Sequence, residues 1–411
     1  MPDPMPRREF LGTIAATGLT TALATRRATA DGKRGAPNAP ATSKRFLTSA
    51  EKFVDVSRGN PKPSTLRGEA RAKARLTTDT WRLEIVSDGS AELANPLRLE
   101  DGTALDLASL ETLGRTHGLK FLKAMQCNNI PVPLGQGLWE GVPLRDVLRR
   151  VGKVGNVRRV YYWGFHNNDP AQRFQSSLGY NQVMETPPWD LPPLVAYRLN
   201  GAEIPPERGG PVRMIVPWAH GFKSIKWLQR IVLTNDYKAN DTYALQNNDP
   251  DSYLKTAAYL DKGPSTFKAG EPVVIEGTAM AGWSGLKHVE YWLRPDGGTD
   301  GKLAEEDPAW KSAAWQPCSL MPPPDDWEIV LPAGTLSQEI WGFDRATGKP
   351  KDWPPRFSVL PWSVTLVGLK PGAYELRART VDLNGFAQPE PRTYQKSGLN
   401  LVPCKLFTVT A

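Results

Sequence analysis

Cysteine is scarce in this sequence: Cys127, Cys318 and Cys404 are the three in 411 residues. No C-x-x-C pair occurs, which argues against zinc ribbons and most iron–sulfur sites. No C-x-x-C-H occurs, so no covalent c-type haem is expected on this chain. An odd count is a poor basis for a disulfide framework, though it leaves room for one bridge plus one special thiol. No stretch approaches about 20 apolar residues, so no membrane span is expected. His117, His166, His220 and His288 show no H-E-x-x-H spacing. There is no G-x-S-x-G, no P-loop, and no RNP, zinc-finger or helix-turn-helix pattern, so no nucleic-acid partner is expected.

What the chain does have is proline and glycine, 38 and 36 residues, with 40% hydrophobic content. That describes a globular protein of short strands and many turns. The net charge of +8 suits an anionic substrate or partner. Arg7-Arg8-Glu9-Phe10-Leu11 opens a weakly apolar stretch to Ala24, and Ala22-Leu23-Ala24 and Ala28-Thr29-Ala30 offer small residues for cleavage. This is the twin-arginine export pattern. Residues 1–30 are therefore expected to be a signal peptide, 31–50 a flexible mature N-terminus, and the location periplasmic. Twin-arginine export carries folded proteins, often with a cofactor already inserted.

From Phe53 to Thr234 strand-like and helix-like pieces mix. Trp81–Val86, Leu119–Met125, Val157–Trp163, Pro211–Val216 and Ile225–Leu233 read as strands, and Leu105–Arg115 and Pro143–Val151 as helices. The pattern is α+β over residues 51–262. Further on, Pro272–Met280, Lys287–Arg294, Ser363–Val367, Tyr374–Val381 and Lys405–Thr410 alternate in polarity, with turn signals at Lys370-Pro371-Gly372 and Asn384-Gly385. No helical pattern interrupts them, so residues 263–411 are expected to form an all-β, immunoglobulin-like sandwich.

Cys127 follows an apolar strand and precedes the loop Asn128-Asn129-Ile130-Pro131-Val132-Pro133, a position from which a thiol reaches a ligand. Taken alone, a lone cysteine is more often inert and buried. Its surroundings change that. Gln126-Cys127, then Leu138-Trp139-Glu140-Gly141-Val142-Pro143-Leu144, resembles the sulfite oxidase family, which carries a Trp-x-Gly-x-x-Leu segment after its cysteine. A second match runs from Leu194-Val195-Ala196-Tyr197-Arg198-Leu199-Asn200-Gly201 through Gly210-Pro211-Val212-Arg213 and Val216-Pro217 to Lys223-Ser224-Ile225-Lys226-Trp227-Leu228. A third, Arg379-Thr380-Val381-Asp382-Leu383-Asn384-Gly385 with Gln388-Pro389, is similar to the family's dimerisation domain. The resemblance covers roughly residues 52–410, and Tyr197–Trp227 is its most specific part.

The resemblance implies a molybdenum-molybdopterin cofactor with Cys127 as the thiolate ligand, a soft donor suited to a sulfur-held metal. It places Arg208, Arg213, Ser224, Ile225, Lys226 and His166 at the cofactor, whose phosphate needs cationic and hydroxyl donors. It places Arg58 at an anionic substrate and Tyr197 as a hydrogen-bond donor beside it. Trp139 reads equally as pocket wall or core, and His220 stands beside the proposed cofactor loop. Relatives carry an arginine five residues after the cysteine, where this chain has Val132, and often Asp where this chain has His166. The activity implied is oxidation of a small oxyanion such as sulfite, with electrons passed to a soluble c-type cytochrome or another acceptor, in a homodimer. Reduction of an S- or N-oxide, or a metal-free scaffold of the same fold, are the rival readings.

Overall fold

A computed structural model describes residues 46–128, 130–251, 253–295, 301–389 and 400–411. The expected signal peptide and most of the expected flexible N-terminus lie outside these residues. Residues 44–411 pack as one unit.

Among the described residues the first half contains two larger sheets around one core, besides the two-stranded pair Glu92–Leu93 and Val154–Gly155. In one sheet the strands Leu105–Asp106, Arg82–Ser87, Leu228–Thr234, Arg159–Gly164 and Gln175–Gly179 lie side by side. Arg82–Ser87 and Leu228–Thr234 run parallel, although 146 residues separate the paired Glu84 and Arg230. In the other sheet Ala202–Glu203, Leu194–Leu199, Gly135–Pro143 and Leu119–Met125 are neighbours, and Arg213–Ile215 pairs with Leu194–Leu199. Trp81, Leu83, Ile85, Leu110, Phe121, Trp139, Tyr162 and Leu194 form the core between them.

The expected strand Leu119–Met125 forms with those bounds. Its apolar residues run almost without a break because both faces are covered. Phe121 enters the central core, while Leu122, with Leu138, packs under Trp327, Leu331, Ile340 and Phe343 from the second half. The expected helix over 105–115 forms as Leu107–His117, capped by Asp106, which accepts from the Ser109 amide at 2.8 Å. The expected helix Pro143–Val151 is split. Pro143 closes the preceding strand, Leu144–Leu148 is α-helical, and Arg149–Val151 tightens to a 3-10 turn before Gly152 at φ 70°.

The second half is two further sheets sharing a second core of Val273, Ile275, Leu360, Trp362, Leu376, Ala378, Phe407 and Val409. One sheet orders Ala257–Leu260, Val273–Met280, Val359–Leu366 and Ser319–Leu320; the other orders Thr266–Lys268, Cys404–Thr410, Gly372–Val381, His288–Pro295 and Gln316–Pro317. Ala257–Leu260 joins these sheets although it precedes residue 263. Against the expectation of an uninterrupted β pattern, the short helices Pro308–Lys311 and Trp327–Val330 fall between strands. The two halves are knitted together. Met280 and Phe357 belong to the first core, and the Gln136 side chain accepts from the Val359 amide and donates to its carbonyl.

Candidate active site

Where strands of the two first-half sheets end, the chain leaves a cavity of about 330 Å³. Four segments wall it: the loop from Phe53 to Pro63, the turn after Met125, the loop from Gly164 to Phe174, and the run from Arg208 to Trp227; Tyr243 closes it.

Cys127 stands two residues beyond its strand. Its loop is held from both sides. The Gln126 amide donates to the carbonyls of Cys127 and Ile130, and the Gln126 carbonyl accepts from the Gly221 amide at 2.7 Å. A side chain at position 221 would place its first carbon 3.3 Å from that carbonyl. Cys127, Cys318 and Cys404 form no disulfide. Among the described residues no group of three or more His, Cys, Asp or Glu side chains could hold a metal.

The Arg58 guanidinium and Cys127 both lie close enough to the Tyr243 phenol to act on its charge. Burial and the nearby Cys127 push that phenol up, and Arg58 opposes them. His166 also lines this cavity.

The same cavity is lined by three further cations, Arg208, Arg213 and Lys226. Arg213, on its short strand, is 4% exposed and donates to the carbonyls of Arg208 (2.6 Å) and Ser224 (2.7 Å), with its guanidinium over the Trp139 ring. Arg208 donates to the Phe53 carbonyl at 2.8 Å. The Nε atoms of both arginines are buried and lack a partner. Lys226 donates to Asp55 at 3.0 Å, Ser57 at 2.5 Å and the Glu207 carbonyl at 2.6 Å. Gly209, at φ +96°, lets Lys226 pass, because a Cβ there would fall 2.5 Å from its Cγ. Burial and the charge of Arg208 bring Arg213 down to about 9. Burial and Arg213 bring Lys226 down to about 7, against the opposing pull of Asp55. Burial opposes the Asp55 charge, but bonds from Ser57 and Lys226 hold its carboxyl well below the usual range. Packed cations with unspent donors are a site for an anionic group. The cationic cluster fits a phosphate, and the Cys127 thiol fits a soft metal.

Cys127, Arg58, His166, Arg208, Arg213, Ser224, Ile225 and Lys226 thus line a single cavity. Tyr197 does not. It lies on the Leu194–Leu199 strand with its side chain in the core against the Leu107–His117 helix, where a Cβ on Gly114 would come within 2.2 Å of its hydroxyl. Burial, then Glu140, pushes this phenol up to about 12. Trp139 is core, fully buried beneath Arg213. Val132 is 44% exposed and is not among the lining residues. His220 is buried, and neither ring nitrogen has a hydrogen-bond partner. The phenol that reaches the cavity is Tyr243, which the sequence analysis overlooked. Its signal was Asp241, whose carboxylate caps the Ala244 amide at 2.9 Å. The same carboxylate meets buried Lys223 at 3.4 Å.

Residues 70–242 match the family described as oxidoreductase molybdopterin binding domain. Sulfite oxidase of Gallus gallus is 25% identical over 331 residues, 73% of this chain and 66% of that protein. The sulfane dehydrogenase SoxCD of Paracoccus pantotrophus shares the fold, with a TM-score of 0.54 and 15% identity over 92% of this chain and 96% of that one. These similarities support a molybdopterin oxidoreductase of the sulfite oxidase type, with the molybdopterin-binding match confined to residues 70–242. A nitrate reductase of Betula pendula is 33% identical over 135 residues, 30% of this chain. The chain spans 15% of that reductase's length. Of the cavity residues named above, Cys127, His166, Arg208, Arg213 and the Ser224–Lys226 run fall inside the span matched to the molybdopterin-binding family, while Arg58 precedes it and Tyr243 follows it by one residue.

Proposed function

We propose that this chain is a periplasmic molybdenum-molybdopterin enzyme that oxidises a sulfur oxyanion of the sulfite type, passing electrons to an external acceptor such as a soluble c-type cytochrome. The observation that carries the reading is one cavity lined both by Cys127, Arg58 and Tyr243 and by the cationic cluster of Arg208, Arg213 and Lys226 with Ser224. When bound, the cofactor supplies oxygen-atom exchange and storage of two electrons. Arg208, Arg213, Ser224 and Lys226 hold its phosphate, and Cys127 holds its metal as thiolate. Arg58 draws the substrate anion into the cavity. Tyr243, beside Arg58, would donate its phenolic hydrogen to a substrate oxygen and so orient the anion. The second-half sheets, which we read as an immunoglobulin-like sandwich, pair two chains in a homodimer.

Steady-state turnover of sulfite with ferricytochrome c, beside methionine sulfoxide with a reduced dye, tests the reading. Sulfite oxidation is the expected result. Sulfoxide reduction without oxidation of any sulfur anion would reverse the direction assigned, and molybdenum-free protein would leave a scaffold.

A further inference from the structure

The cavity is walled in part by rings. Phe174 and Tyr243 meet edge-on with centroids 5.6 Å apart, and Phe222 and Tyr243 tilt together at 4.6 Å. The Arg58 guanidinium carbon lies 4.5 Å from the centre of the Phe174 ring. Phe165 and Ile130 extend the apolar wall. The other lining guanidinium and ammonium groups, Arg208, Arg213 and Lys226, form a cluster joined to one another through Arg208 and Glu207 backbone carbonyls, to Phe53 and Ser224, and to Asp55. Arg58 is thus the guanidinium left to receive a substrate, and it is laid on a ring.

Sulfite is small, strongly hydrated, and doubly charged in its basic form. Ring faces are electron-rich and give such an ion nothing in return for its lost water. A single guanidinium beside a phenol matches one negative charge spread over two oxygens. Three adjoining rings match an apolar group on the same molecule.

Resting on the oxygen-atom-transfer reading above, we infer that the preferred substrate is an organic sulfinate, R–SO2⁻, whose head sits on Arg58 and Tyr243 and whose R group packs against Phe174 and Phe222. The step is R–SO2⁻ + H2O → R–SO3⁻ + 2 H⁺ + 2 e⁻. The sulfur lone pair becomes the new S–O bond, water is the ultimate source of the oxygen and releases both its protons, and sulfur gives up two electrons to an external one-electron acceptor. Val132 agrees with this assignment, since the loop after Cys127 offers no second cation to balance a dianion.

Holoenzyme assayed with ferricyanide on benzenesulfinate, methanesulfinate and sulfite tests the inference. The expected order of kcat/KM is benzenesulfinate, then methanesulfinate, then sulfite, with the phenyl group giving about tenfold or more over methyl. Calorimetric binding of the products is expected to follow, benzenesulfonate tighter than methanesulfonate by a similar factor. Phe174→Leu and Phe222→Leu should raise KM for benzenesulfinate about tenfold while moving that for methanesulfinate less than about threefold. A kcat/KM for sulfite equal to or above that for benzenesulfinate overturns the inference and leaves oxygen-atom transfer standing. Failure to oxidise any of the three anions overturns the underlying reading itself. The substrate and product comparisons use the unmodified enzyme, so they decide even if a leucine variant folds poorly.

Discussion

Replacing Asp241 by asparagine removes one half of an ion pair whose two side chains are each 1% exposed. The Lys223 ammonium lies 3.4 Å from the carboxylate and also donates to the Ser177 carbonyl. The carboxylate further accepts from the Ser177 hydroxyl at 3.2 Å and the Ala244 amide at 2.9 Å. Asparagine keeps one acceptor but leaves the ammonium buried without its counter-charge. Breaking one side of a buried pair costs about 3–5 kcal/mol. At about 2–4 °C per kcal/mol for a domain of this size, the melting temperature should fall roughly 6–20 °C. The pair joins the segment before Ser224-Ile225-Lys226 to the turn that carries Tyr243, so kcat should fall with it. Burial holds Lys223 below its ordinary value against the pull of Asp241. Without the carboxylate it drops further, and between that lower value and about 10.5 the unfolded chain binds more protons. The variant's deficit should therefore shrink as pH rises through that window. Calorimetry of Asp241→Asn, Lys223→Met and the double variant Lys223→Met/Asp241→Leu measures the coupling. The double variant should recover most of the loss. A single-variant loss below about 1 kcal/mol, or a double variant as unstable as the sum of the singles, would refute this account of the pair.

Burial, then Arg213, lowers fully buried Lys123 to about 7. Its ammonium donates to the carbonyls of Pro217 (2.7 Å), Ala124 and Ala219, so the shift sets an upper limit of about 5 kcal/mol on the cost of its charge. That cost is present below about pH 7 and fades as pH rises toward 10.5, so Lys123→Met should gain most on the parent protein near pH 6 and least near pH 10. A pH-independent difference in melting temperature contradicts it. Tyr197→Phe should leave kcat/KM within about twofold, while Tyr243→Phe should lose roughly tenfold to a hundredfold, the worth of one hydrogen bond to a charged group; the reverse order would return the phenol's role to the strand. Cys127→Ser should keep the fold by circular dichroism yet lose the thiolate-to-molybdenum absorption band and turnover, because serine offers a hard oxygen donor. Unchanged activity there would remove Cys127 from the metal.

Much of the site was legible because its residues sit in short, ordered runs. Arg213, Ser224, Ile225 and Lys226 lie on one short strand and the turn after it, so local order survives as spatial order. Tyr197 misled for a physical reason. Strand neighbours point to opposite sides of a sheet, and the sequence does not say which side is cavity and which is the Gly114 face of a helix. Tyr243 was hidden because it reaches the cavity from the polar stretch after the last first-half strand, on a turn held by the Asp241–Lys223 ion pair that no local pattern announces. In the fold, the strands were readable from alternation and apolar runs. The packing of Trp327–Phe343 across the back of Leu122 and Leu138 was not, since it depends on contacts nearly two hundred residues apart.

The central claim is that one cavity holds molybdopterin, with its metal at Cys127 and its phosphate among Arg208, Arg213, Ser224 and Lys226. It is tested most directly by quantifying molybdenum and released pterin together in protein purified from a host supplied with molybdate. The account predicts both in equimolar amount with the chain. Folded protein that carries neither pterin nor molybdenum under those conditions would contradict it.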